Sequence, residues 1–119
     1  MILCLGSNED AEKRLAKARQ LLRDAFPGIV FTESIETEPQ GMVTEKFNNC
    51  MAKAYTSLTY DEVRRVLKRI ETACGNASEL RQQKIVCMDI DLLQLNGKRY
   101  KLQDWERGYV KTLFEKVKN

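Results

Sequence analysis

The feature that most restricts the fold is the order in which the apolar period changes along the chain. Ile2 to Leu5 is a short apolar run ending at Gly6, as expected of a buried strand. Leu15, Ala18, Leu22, Ala25 and Phe26 then recur at helical spacing until Pro27-Gly28 stops them. Ser7 or Asn8 is placed to cap that helix. Ile29, Val30 and Phe31 begin a second strand, and "TEPQGMVTE" (Thr37 to Glu45) is a polar loop. Phe47, Asn49, Met51 and Tyr55 alternate along a third strand that ends near Leu58. Thr59-x-x-Glu62 is a capping box. It opens a helix whose apolar face is Val63, Val66, Leu67, Ile70 and Cys74, closed by Gly75-Asn76. After the polar loop Asn76 to Lys84, Ile85 to Leu95 reads as a long strand. Asn96-Gly97 turns it back through Lys98 to Leu102, and the segment after Asp104 reads as helical. The order β-α-β-β-α-β, with an added hairpin strand and a C-terminal helix, predicts an α+β, ferredoxin-like sandwich with helices on one sheet face. With no repeat, linker or low-complexity tract, residues 1–119 read as one domain.

Within the last long strand, "CMDIDLL" carries Asp89 and Asp91 two residues apart. A strand points such residues to the same face, where two bare carboxylates would repel each other and resist desolvation. A hard divalent cation is the usual partner for such a pair; an exposed edge with two solvated acids is the plainer alternative. In this strand order the first, third and fourth strands lie near one another, so the acids can share a surface with Asn49. A carboxamide between Phe47 and Met51 is either a buried Asn bonded to nearby backbone or a recognition group. The chain has no histidine, which excludes histidine-ligated zinc and histidine acid–base catalysis. A net charge of +3 is too mild to point to nucleic acid and compatible with an anionic small ligand. Cys4, Cys50, Cys74 and Cys87 show no C-x-x-C spacing and fall in apolar segments, so they read as core residues of a cytoplasmic, reducing compartment. "MILCLGSN" lacks the features of a signal peptide, and no run reaches membrane-span length.

The sequence resembles hydroxymethyldihydropterin pyrophosphokinase, a folate-pathway family. The matching pieces, in order, are "LGSN" (Leu5 to Asn8), "SIETEPQG" (Ser34 to Gly41), "FNN" (Phe47 to Asn49), "IETACG" (Ile70 to Gly75), "DIDLLQLNG" (Asp89 to Gly97) and "RGY" (Arg107 to Tyr109). The resemblance implies a ferredoxin-like fold and transfer of pyrophosphate from ATP to a pterin hydroxymethyl group, with two magnesium ions. Asp89 and Asp91 match the family's metal-binding acids. Phe47 and Tyr109 match the aromatic positions that sandwich the pterin, and Asn49 matches the residue on the ring's polar edge. Thr37 and Gly41 fall in the loop whose backbone reads the ring.

The chain departs from the family where arginines and a tryptophan hold the ATP phosphates. Asn76 and Val86 stand at two arginine positions and Gln83 at the tryptophan position, leaving Arg81 and Lys84 as cations. A His–Tyr pair after the hairpin is missing; Asp104-Trp105 stands nearby. Arg81 and Lys84 are therefore the expected nucleotide-binding and catalytic cations, with Arg107 and Lys111 as partial substitutes. Because such cations stabilise charge that develops in the transition state, these departures lead one to expect slow turnover with pterin recognition kept. Two other readings stand beside it. One is a non-catalytic relative that binds a pterin or another heterocycle. The other is a ferredoxin-like RNA-binding module, suggested by Arg64, Arg65, Lys68 and Arg69 but lacking the aromatic strand signature.

Overall fold

The computed structural model describes residues 1–37, 46–75 and 85–118. Its strands are β1 (Ile2–Ser7), β2 (Val30–Phe31), β3 (Ile35–Thr37), β4 (Phe47–Lys53), β5 (Asp89–Leu95) and β6 (Lys98–Arg99). The helices are α1 (Ala11–Ala25), α2 (Tyr60–Ala73), α3 (Leu102–Trp105) and α4 (Gly108–Val117). All strand pairs are antiparallel in one sheet of order β2-β4-β1-β5-β6, with β3 pairing β4 beside β2. This is the expected α+β, ferredoxin-like arrangement, with β4, β1 and β5 adjacent at its centre.

The alternation of each strand sorts side chains onto two faces. Leu3, Leu5, Cys50, Ala52, Ile90 and Leu92 join one buried cluster with Leu15, Leu22, Val63 and Leu67 of α1 and α2. Ile2, Cys4, Met51 and Leu93 join a second cluster with Trp105, Val110, Leu113 and Val117. The expectation of helices on one face thus holds for α1 and α2, whereas α4 packs on the opposite face. Its apolar residues Val110, Leu113 and Val117 recur at helical spacing and need a surface to cover. Between Ile2 and Leu3 the register with β5 shifts. The resulting bulge lets Leu93 join one cluster and Leu95 the other.

Several boundaries differ from the sequence expectation for local reasons. Helix α1 is not capped by Ser7 or Asn8: its N-cap is Asp10, in the left-handed region at φ 48° and without a side-chain cap bond. The Ser7 hydroxyl instead bonds the Glu9 and Val86 carbonyls, and the Asn8 carboxamide oxygen accepts from the Val86 N–H at 2.7 Å. Strand β4 stops at Lys53 rather than near Leu58. Its partner β1 runs out there, the last bond being Ala54 N–H to the Met1 carbonyl at 3.0 Å. The β5 ladder starts at Asp89 rather than Ile85, because Val86 directs its N–H and C=O to Asn8. The return strand stops at Arg99 rather than Leu102, because Lys101 adopts φ 53° and turns the chain into α3. The capping box on α2 is present as expected: the Thr59 hydroxyl accepts from Glu62 N–H at 3.3 Å, and the Glu62 carboxylate accepts from Thr59 N–H at 2.9 Å.

Candidate functional site

The site is built from cross-strand rows on the face that carries α4. Gly6 of β1 stands opposite Asn49 of β4 on one side and Asp89 of β5 on the other. One row further, Cys4 stands between Met51 and Asp91. Asn49, Gly6, Asp89 and Asp91 therefore share one face, as the period-2 reading required.

Gly6 has a specific role in this row. A Cβ there would lie 2.5 Å from Asn49 Oδ1 and 3.6 Å from Phe47 Cδ1, so only glycine lets the carboxamide lie across β1. The Asn49 Nδ2 donates to the Thr37 hydroxyl at 2.6 Å, joining β3 to β4 above the ladder. The Asn49 side chain is thus held by a neighbouring side chain, where backbone was the structural expectation. Phe47 and Thr37 are half-buried beside it. Gly41, Arg81 and Lys84, expected in the ring-reading loop and the phosphate grip, lie outside the described residues, as do Asn76 and Gln83.

The acids meet a second group of charges from the β6–α4 segment. Lys101 Nζ lies 3.2 Å from Asp91 Oδ1, with 44% and 38% of the two side chains exposed. Arg107 Nε lies 3.4 Å from Asp104 Oδ1. Burial pushes the Asp91 pKa above its ordinary value; Lys101 opposes the rise, while Asp89 and Asp104 add to it. Asp91 belongs to a pair of hard oxygen donors. Tyr109, near the start of α4, packs against the second cluster. Burial raises its phenol pKa, Cys4 adds to the rise, and a hydrogen bond from Arg107 opposes it. Burial likewise raises the Cys4 thiol, with Asp91 adding to the effect.

The acid pair fits magnesium by its chemistry. Magnesium takes one or two carboxylates and completes its shell with phosphate oxygens and water. Among the described residues no group of three or more His, Cys, Asp or Glu is placed to hold a metal, so the remaining ligands would have to come from substrate and solvent. Val86, at a position where the resemblance leads one to look for arginine, is 8% exposed and bonded through its backbone to Asn8. It is a core residue here.

Sequence reasoning missed four residues of this neighbourhood. Lys101 could have been found by counting back from the Asn96-Gly97 turn. The pairs Leu95↔Lys98 and Gln94↔Arg99 bring the chain after Tyr100 alongside the acid-bearing strand. Trp105 donates its indole N–H to the Leu93 and Tyr100 carbonyls, each at 3.1 Å, and had no sequence signal beyond its type. Glu71 caps the edge of β5 by accepting from Ile90 N–H at 2.7 Å. Arg14 donates to the Cys74 carbonyl at 2.8 Å and pairs with Glu9 at 3.2 Å, tying the end of α2 to the turn after β1. The cations Arg64, Arg65, Lys68 and Arg69 lie on the exposed side of α2.

The family model described as 7,8-dihydro-6-hydroxymethylpterin-pyrophosphokinase matches residues 2–115. Among curated proteins none matched the chain. With that match covering nearly the whole of the 119 residues, the chain belongs to the 7,8-dihydro-6-hydroxymethylpterin-pyrophosphokinase family, whose chemistry is pyrophosphoryl transfer in folate biosynthesis.

Proposed function

We propose that this chain, acting as a single domain in the cytoplasm, transfers the β,γ-pyrophosphoryl group of ATP to the hydroxymethyl oxygen of 6-hydroxymethyl-7,8-dihydropterin. The hydroxymethyl oxygen forms a bond to the β-phosphorus, its proton passes to solvent, and AMP leaves with the electrons of the broken bond. The observation that carries this reading is the row Asn49–Gly6–Asp89 with Asp91 one step along. It sets a recognition amide and an acid pair on one sheet face, one strand apart from each other.

In this reading Asn49 bonds the polar edge of the pterin while Phe47 and Tyr109 stack on it, with Thr37 holding the Asn49 amide and Gly41 contributing backbone. Stacking supplies contact area and a few polar groups supply discrimination. Asp89 and Asp91 would hold two magnesium ions together with the nucleotide. Magnesium, when bound, neutralises charge on the transferring group and aligns the reactants. Arg81, Lys84 and Arg107 are the candidate phosphate contacts.

The burial of Val86 favours a slow enzyme over a fast one, since the chain places a core side chain where a phosphate-binding arginine would otherwise reach in. It equally motivates the second reading, a non-catalytic pterin binder. The purified protein, incubated with the dihydropterin and Mg-ATP, should release AMP. Release of ADP would instead mark an ordinary kinase, and tight pterin binding with no nucleotide product would favour the non-catalytic binder. Restoring an arginine by Val86→Arg is not a clean gain-of-function test, because it would bury a charge in the core.

A further inference from the structure

Lys101 is a half-exposed side chain on an immobilised backbone. Tyr100 N–H bonds the Leu93 carbonyl at 2.9 Å, and Asp104 N–H bonds the Lys101 carbonyl at 2.8 Å. The Trp105 indole clamps Tyr100 to Leu93. The Lys101 backbone itself sits at φ 53°, ψ 54°, a region a lysine rarely visits and keeps only when its surroundings impose it. Its Cα is therefore fixed beside Asp91, while the flexible stem lets the ammonium come and go. Arg107 is engaged by Asp104, and the other charges acting on Asp91 are the acids Asp89 and Asp104. Among the described residues, Lys101 is thus the cation paired with Asp91.

An ammonium group and a divalent ion compete for a carboxylate oxygen, because like charges at contact distance repel strongly in a partly desolvated site. A shallow depression on the outer flank of β5 is lined by Asp91 and Lys101 together with Arg64, Lys68 and Glu71. We propose that Lys101 is a displaceable counter-ion of Asp91: it occupies the place of the divalent cation in the free protein and yields it when the nucleotide arrives, then faces the phosphates. This rests on the reading of Asp89 and Asp91 as the cation site. Its consequence is that divalent ions bind weakly to the free chain and much better with nucleotide, so that cation and nucleotide enter together. Lys101 is a positioning residue in the free protein and becomes a phosphate contact in the loaded one.

The test uses the full chain and two ligands. Mn2+ binding to the nucleotide-free protein is measured by electron paramagnetic resonance, and binding of a non-hydrolysable ATP analogue with Mg2+ by calorimetry. Lys101→Gln should tighten Mn2+ by about two- to fivefold, the scale of a partly exposed ion pair, and weaken the Mg-analogue complex by a similar factor. Lys101→Arg should stay near wild type in both. Loss of a merely structural contact would weaken both ligands together, so the opposite signs are diagnostic. Lys101→Asn, which suits the left-handed backbone, should behave as Lys101→Gln does and serves if glutamine disturbs the fold, monitored by thermal unfolding. Unchanged or weaker Mn2+ binding in folded Lys101→Gln, with Asp91→Asn abolishing it, overturns the counter-ion role and leaves the cation site standing. Mn2+ binding that survives Asp91→Asn overturns both.

Discussion

The two faces of the central sheet differ in what they ask of their residues. Toward α1 and α2, the strands present Leu3, Leu5, Ala52, Ile90 and Leu92, all buried against apolar helix residues. Toward α4, the same strands bury Ile2, Cys4, Met51 and Leu93 at one end. They then change character at Gly6, Asn49, Asp89 and Asp91. The first face is a stability surface throughout; the second is a stability surface for half its length and a polar surface for the rest. Neighbouring residues on one strand thus serve opposite ends: Ile90 anchors the core, while Asp89 and Asp91 on either side of it carry charge that the core would not tolerate.

Three substitutions would break or sharpen that contrast. Asp91→Asn should have the largest effect on activity, on the order of 10³-fold, since in the proposed reading it removes one of two magnesium ligands. It should also raise, rather than lower, thermal stability at neutral pH. The Asp91 pKa is raised in the folded chain, mainly by burial, from an ordinary value near 3.8. The folded state therefore holds that proton more tightly than the unfolded chain does. The associated stabilisation is complete below the unfolded value and is lost as pH rises through the folded value. At pH 7 the ionised carboxylate is a net cost that asparagine relieves. A fall in melting temperature for Asp91→Asn would contradict this division of roles.

Leu5→Ala, on the opposite face, should show the reverse pattern. Leu5 is fully buried, so truncation should cost about 2–5 kcal/mol in denaturant unfolding, with ligand affinities measured below the transition close to wild type. Loss of pterin affinity without loss of stability would erase the distinction between the faces. Asn49→Ala is the mildest of the three. It should weaken pterin binding by about 1–3 kcal/mol, as expected when a buried polar partner is removed. Calorimetry showing equal pterin affinity would remove Asn49 from the slot.

Most of the fold could be read from the sequence because each element carries its own local signal. The α2 capping box, the Asn96-Gly97 turn and the alternation around Asn49 each depend on a few adjacent residues, and all three are present. The Asp89–Asp91 pair was readable for the same reason. What could not be read depends on contacts made at long range. Asn8 bonds Val86 across 78 residues, and that one interaction both removes Asn8 from helix capping and shortens β5. The placement of α4 on the far face follows from apolar strand residues that are symmetric in the sequence, since alternation says that two faces exist and not which helix covers each. The Lys101–Asp91 pair depends on a left-handed turn at a lysine, a choice against local preference that only the Trp105 clamp explains.

The edge of the sheet at β2 and β3 has a consequence for how the protein behaves in a crowded solution. The edge is broken into a two-residue and a three-residue strand. In the gap, Thr32 exchanges two bonds with Met51: its N–H donates to the Met51 carbonyl, and its hydroxyl accepts from the Met51 N–H, both at 2.9 Å. A side chain has taken the role of a ladder partner, so among the described residues this edge offers an incoming chain no long row of regularly spaced donors and acceptors. At the opposite margin, β6 is only Lys98–Arg99, two charges on a strand too short to template pairing. Short, interrupted and charged margins are the means by which open sheets avoid joining edge to edge. Among the described residues, both margins of the open six-stranded sheet carry these features.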